Sequence, residues 1–122
     1  MFHDTLAYAA AIRQALGATI LAGGINLSLY PRETMTHEAI DYAISGEALH
    51  SLPLLIDALE KGTEPDGIPG VCYRREGGIV ISPPATESEF DELPFPARHL
   101  LPNDRYYSIT SQRRNFTIML TS

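Results

Sequence analysis

Apolar and polar residues change period several times along the first sixty positions, and each change marks an element. DTLAYAAAIRQALG (residues 4–17) is alanine-rich helix-forming sequence. It starts at Asp4 or Thr5, either able to cap exposed N–H groups, and meets Gly17 as a C-terminal stop. Tyr8, Ala9, Ile12 and Leu16 fall on one face, which predicts that this face covers something. ATILA (18–22) is a short apolar run that breaks into Gly23-Gly24, as a buried parallel strand does. PRETM (31–35) suits a short helix with Pro31 in its first turn. AIDYAIS (39–45) reads as a second strand, ended by Gly46. In SLPLLIDALEKG (51–62) Ser51 is a candidate cap, and Pro53 sits where its missing N–H costs little. Leu52, Leu55, Ile56 and Leu59 follow the i, i+3, i+4, i+7 spacing, and Gly62 ends the helix. The order helix, strand, short helix, strand, helix predicts a parallel sheet covered by helices.

The second half changes character, since seven of the nine prolines lie after residue 64. GVCYRR and GIVIS, joined through Glu76-Gly77-Gly78, predict a β-hairpin. Residues 83–104 are too proline-rich for a central strand or a long helix. A loop of that length within a compact domain has a job, such as bridging to another domain. NFTIMLTS at the end is a core-grade β run with nothing after it. The expected fold class is α/β: a truncated Rossmann-like parallel sheet with flanking helices, a β-hairpin and a long irregular proline-rich C-terminal linker. Two parallel strands make a thin sheet that wants more neighbours. Residues 1–82 are therefore expected to be a partial domain, missing strands before Met1. Residues 83–122 are expected to be a linker and first strand leading into a domain after Ser122.

Composition narrows the function classes. A formal net charge of −6 argues against nucleic acid, which needs a basic face; Arg74-Arg75 and Arg113-Arg114 are too short to form one. The single cysteine, Cys72, excludes an internal disulfide framework and any multi-cysteine metal or iron–sulfur site in this chain. Its place between Val71 and Tyr73 makes it a strand residue. MFHDT has neither the basic region nor the apolar stretch of a signal peptide. The apolar-leaning Leu6–Ile25 segment holds Arg13, Gln14 and Gly17, so it is no membrane span. The expected location is cytoplasmic.

In open parallel sheets ligands bind at the carboxyl ends of strands. Here those ends are Ala22–Asn26 and Ser45-Gly46-Glu47. Glycine permits close approach of a ligand to backbone, and freed N–H groups can face phosphate or amide oxygens. The same Gly23-Gly24 pair also serves a plain turn needing positive φ, and both readings stand on local sequence alone. A hydrolase reading lacks parts: Ser45 and Ser51 lie near Glu47 and His50, but no nucleophile elbow surrounds either serine. His3, His37 and His99 are scattered, and Glu87, Glu89, Asp91 and Glu92 read as a solvated face rather than a metal site. A response-regulator-like module would need a phospho-accepting aspartate at a strand end, and Asp41 precedes its strand. No catalytic and no metal-ligating residue is assigned in this chain.

Four stretches taken in order carry a family resemblance: LAGGINLSLYPRETM, IDYAISGEALHSLPLLIDALEKG, GIPGVCYRREGGIVISPP and FDELPFPARHLLP. Together they resemble the cobalamin-binding region of radical S-adenosylmethionine enzymes, which include cobalamin-type methyltransferases and the magnesium-protoporphyrin monomethyl ester cyclase. In that family a strand ends in Gly-Gly, commonly continued as Pro-His-Pro-Thr. An Asp-Tyr-Val-Val strand then runs into Gly-Glu-Gly-Glu and an amphipathic helix. A Gly-Ile-x-Gly hairpin and an Asp-x-Leu-Pro-x-Pro linker lead to the radical domain. The linker, with Leu93-Pro94-Phe95-Pro96, is the most specific match.

The resemblance implies cobalamin as ligand, with Gly23, Gly24, Asn26, Ser28, Gly46 and Glu47 beside its nucleotide tail. It also implies a radical S-adenosylmethionine barrel in the same parent chain, whose CxxxCxxC loop would hold a [4Fe–4S] cluster and S-adenosylmethionine after FTIMLTS. The parent would then catalyse methyl transfer or radical ring-forming chemistry. The match has departures. Ile25, Asn26, Leu27 and Ser28 replace Pro-His-Pro-Thr, leaving Ser28 as the stand-in for the threonine, and Ala48-Leu49 replace the second Gly-Glu. The Asp-x-His-x-x-Gly motif that supplies a lower cobalt ligand in many cobalamin proteins is absent, and His3-Asp4 has the reverse order. These losses suit an alternative: a cofactor-free domain of the same architecture that docks on the barrel or recognises substrate.

Overall fold

The computed structural model describes residues 2–84 and 94–107. The chain divides into two units, Met1–Ser88 and Glu89–Ser122. In the first unit the helix α1 (Phe2–Leu16) leads to β1 (Leu21–Gly23), then to the short helices α2 (Ile25–Leu29) and α3 (Pro31–Met35). β2 (Tyr42–Ile44), α4 (Ser51–Glu60) and the hairpin β3 (Val71–Arg75) and β4 (Gly78–Ile81) follow. The fold is α/β, with one four-stranded sheet in the order β1-β2-β3-β4. β1 and β2 pair in parallel, whereas the hairpin adds to β2 antiparallel, so the sheet is mixed. The hairpin loop is Glu76-Gly77, because Arg75 pairs with Gly78.

Strand alternation sorts the apolar residues into two cores. On one face Ala43 and Cys72 pack with Leu27, Met35 and Ile40 beneath α2 and α3, with Leu6 of α1 against them. On the other face Ile44, Val71 and Tyr73 pack against Leu55 of α4. Cys72 is fully buried in its strand, and burial pushes its thiol pKa up. The strands are only three to five residues long, so these two small cores carry most of the burial.

Four sequence expectations need correction. Of the predicted face of α1 only Ala9 is buried; Tyr8 and Leu16 are 70% and 76% exposed, and Ile12 is half-exposed. The inward stripe is Phe2, Leu6, Ala9 and Arg13, because Arg13 pairs with Asp41 and donates to the Ala39 carbonyl. α1 begins at Phe2, so Asp4 and Thr5 lie within its first turn rather than at a cap. In α4 the cap position is His50 with no side-chain bond, while Ser51 is buried inside the helix. The Leu52 N–H reaches the Ala48 carbonyl at 2.8 Å instead. Ile56 is half-exposed, since Leu52, Leu55 and Leu59 are the α4 side chains that pack over β2 and β3.

In the second unit two 3-10 turns, Arg98–Leu100 and Asn103–Arg105, are tied by Asn103 Nδ2 donating to the Arg98 carbonyl at 2.6 Å. Phe95 is 96% exposed, as suits a proline-flanked segment with no core of its own. The acidic residues Glu87, Glu89, Asp91 and Glu92, and the terminal FTIMLTS run, lie outside the described residues. Among the described residues no helix is long and apolar enough to cross a membrane.

Candidate functional site

Parallel pairing aligns Gly23 with Ile44, so both chains leave the sheet on the same side. The two glycine loops therefore meet at the carboxyl edge, where open α/β sheets take ligands. Gly24 adopts φ 101° and Gly46 φ 85°, both in the region that favours glycine. A Cβ built on Gly24 would meet nothing within 4 Å, and one on Gly23 would meet only the Ile44 carbonyl oxygen at 3.9 Å. The space beside this pair is open. At Gly46 the neighbour is closer, with Pro84 Cβ 3.1 Å from a built Cβ.

Ser28 joins the loops. Its Oγ donates to the Gly24 carbonyl at 3.3 Å and accepts the Gly46 N–H at 2.9 Å. The Ser28 and Leu27 N–H groups also reach the Gly24 carbonyl, each at 3.1 Å, so that carbonyl is anchored by the first turn of α2.

A cleft of about 400 Å³ opens between this edge and the start of α1, walled by Gly23, Gly24, Ile25 and Asn26 with Phe2 and Ile40. Of the residues expected at the site, Gly23, Gly24 and Asn26 line the cleft. Ser28 and Gly46 lie beside it as the bonded pair, and Glu47 is exposed just beyond Gly46. Ile25, which lines the cleft, is 81% exposed, and Leu29 at the end of α2 and Leu49 after the Gly46 turn are 65% and 50% exposed.

Sequence reading missed two features of the cleft. Phe2, assigned to no element, lines it from the first turn of α1. Thr34, read only as part of PRETM, also lines it, is 1% exposed, and its Oγ1 has no hydrogen-bond partner among the described residues. A buried hydroxyl without a partner is costly, yet no local pattern marks it, because its burial depends on how α3 packs on the sheet. Among the described residues no group of three or more His, Cys, Asp or Glu gathers to hold a metal.

No protein-family model matches the chain. An uncharacterized methyltransferase of Pyrococcus horikoshii is 36% identical over 89 residues, covering 71% of this chain and 19% of that protein. Two solved structures of the radical S-adenosylmethionine methyltransferase TsrM from Kitasatospora setae match with TM-scores of 0.59. One, with tryptophan substrate and an S-adenosylmethionine analogue bound, is 30% identical over 69% of this chain and 16% of its own. The other, with cobalamin and a [4Fe–4S] cluster bound, is 29% identical over 71% of this chain and 15% of its own. The chain is thus similar to a segment that makes up less than a fifth of these methyltransferases.

Proposed function

We propose that this chain is part of the cobalamin-binding domain of a radical S-adenosylmethionine methyltransferase, with Gly23, Gly24, Asn26, Ser28, Gly46 and Glu47 along the edge that meets the cofactor. The observation that carries the reading is the convergence of the two glycine loops on one edge, bonded through Ser28. It occurs in a chain similar to TsrM, solved with cobalamin bound. The residues fit a large ligand: the flank of Gly23-Gly24 is open, the adjoining cleft is mostly apolar, and a buried hydroxyl at Thr34 awaits a partner.

Cobalamin, when bound, supplies a methyl carrier; the chain's own part is to hold and orient it. The glycines let the ligand approach main chain, and Ile25, Leu29 and Leu49 offer apolar contact. The [4Fe–4S] cluster and S-adenosylmethionine belong, in this reading, to a radical barrel elsewhere in a cytoplasmic parent, with residues 83–122 as linker and first strand. Both relatives are named methyltransferases, which favours methyl transfer over ring formation as the parent's chemistry.

Titrating hydroxocobalamin into this chain and into the full-length protein tests the reading. A shift in the corrin absorbance, with cofactor retained through gel filtration, is the expected result; no shift in either would overturn it. A second reading, the cofactor-free docking domain, draws on the Ser28 hydroxyl being spent inside the chain. A full-length protein that assembles a cluster and cleaves S-adenosylmethionine without retaining cobalamin would decide for it.

A further inference from the structure

The family resemblance places Ser28 beside the ligand, but the one proton of its hydroxyl is already committed. The hydroxyl donates to the Gly24 carbonyl and accepts the Gly46 N–H. The β2–β3 ladder ends at Ile44 and Val71, and the Ser45 N–H goes to the Gly70 carbonyl at 2.8 Å. Gly46 is the first residue past these bonds, and among the described residues the hydroxyl of Ser28 is the partner given to its N–H. The contact spans 18 residues and joins α2, which follows β1, to the turn that follows β2.

We infer that Ser28 is a positioning residue: it clasps the Gly46 turn to the Gly24 loop so that the two walls of the ligand edge keep one spacing. This rests on the cofactor reading for its consequence, though not for its geometry. Ligand contact on this edge then falls to main chain, to Asn26 and to Glu47, and Ser28 acts through Gly46. The requirement is a hydroxyl on a short stem, which threonine supplies and valine, of the same shape, does not. Losing one hydrogen bond of ordinary net strength corresponds to about a 3- to 10-fold loss of affinity.

The test compares Ser28→Thr, Ser28→Val and Ser28→Ala in the full-length protein. Hydrogen–deuterium exchange is followed in peptides ending on either side of Gly46, beside hydroxocobalamin titration. The expected result is faster exchange at Gly46 and about 3- to 10-fold weaker binding in the valine and alanine variants, with both restored by threonine. Unchanged exchange at Gly46 in the valine variant overturns the clasp. Faster exchange with unchanged affinity overturns the positioning role. If the parent protein takes up no cobalamin, the cofactor reading falls. Exchange alone then decides the clasp, faster in Ser28→Val and normal in Ser28→Thr supporting it.

Discussion

The Asp41 carboxylate lies 2.5 Å from the Arg13 guanidinium, and the same oxygen accepts the Ile20 N–H at 2.7 Å. One side chain thereby ties α1 to the approaches of both parallel strands. Burial pushes the Asp41 pKa up, but the bonds from Arg13 and Ile20 and the charges of Arg13 and Arg74 outweigh it. The carboxyl is held below its ordinary value of 3.8. A lowered folded pKa means that this stabilisation is full above 3.8 and is lost as pH falls through the folded value. Asp41→Asn should cost about 1–2 kcal/mol at pH 7, toward the lower figure because Arg13 is partly in solvent. It should also flatten the acid limb of a denaturation series. An unchanged acid limb would contradict the assignment.

Arg74 reaches from β3 to three carbonyls where the chain leaves α3: Met35 at 2.8 Å, His37 at 3.2 Å and Ile40. Replacing it by methionine keeps much of the stem and removes the donors. Chemical denaturation should show a loss of about 1.5–3 kcal/mol, the range for bonds from a charged group. The neighbouring Arg75, which pairs with Glu64 and Asp66 on an exposed loop, should matter less.

Adjacent positions in α4 give a sharp contrast. Leu55 is fully buried between Ile44, Val71 and Tyr73, whereas Ile56 is 46% exposed. Leu55→Ala should cost about 2–5 kcal/mol and Ile56→Ala about 0.5 kcal/mol. Similar losses from the two would mean that α4 is rotated from the face described.

Gly23 separates ligand binding from folding. Its φ is not positive, and a Cβ there meets only an ordinary contact at 3.9 Å. Gly23→Val should therefore leave the thermal midpoint within a few degrees while putting a branched side chain at the wall of the cleft. Hydroxocobalamin affinity should fall more than about tenfold, the effect of about 1.4 kcal/mol of lost contact. Retained affinity would remove Gly23 from the site.

The strand-ending glycines, the hairpin and α4 were legible because their signals are local: an apolar run, a Gly pair, a 3.6-residue period. Helix α1 was legible as a helix, but its inward face was not, because alanines leave its faces nearly equivalent. What chooses between them is Arg13 meeting Asp41, 28 residues away. The same limit applies at the site. Gly24 and Gly46 can each be read as loop residues, but their connection through Ser28 appears only when segments far apart in sequence are packed together. Thr34 is hidden for the same reason, as its partnerless hydroxyl belongs to a packing arrangement rather than a motif.

Among the described residues β1 is hydrogen-bonded along one side only, and Tyr8, Ile12 and Leu16 of α1 leave apolar surface in water. Such an edge is adhesive: it accepts a further strand from any chain that offers one. Concentrated stocks of this polypeptide alone should cloud or form soluble clusters. A lysine in place of Leu21, itself 40% exposed, should slow that clustering by adding charge to the open rim without disturbing the pairing with Tyr42.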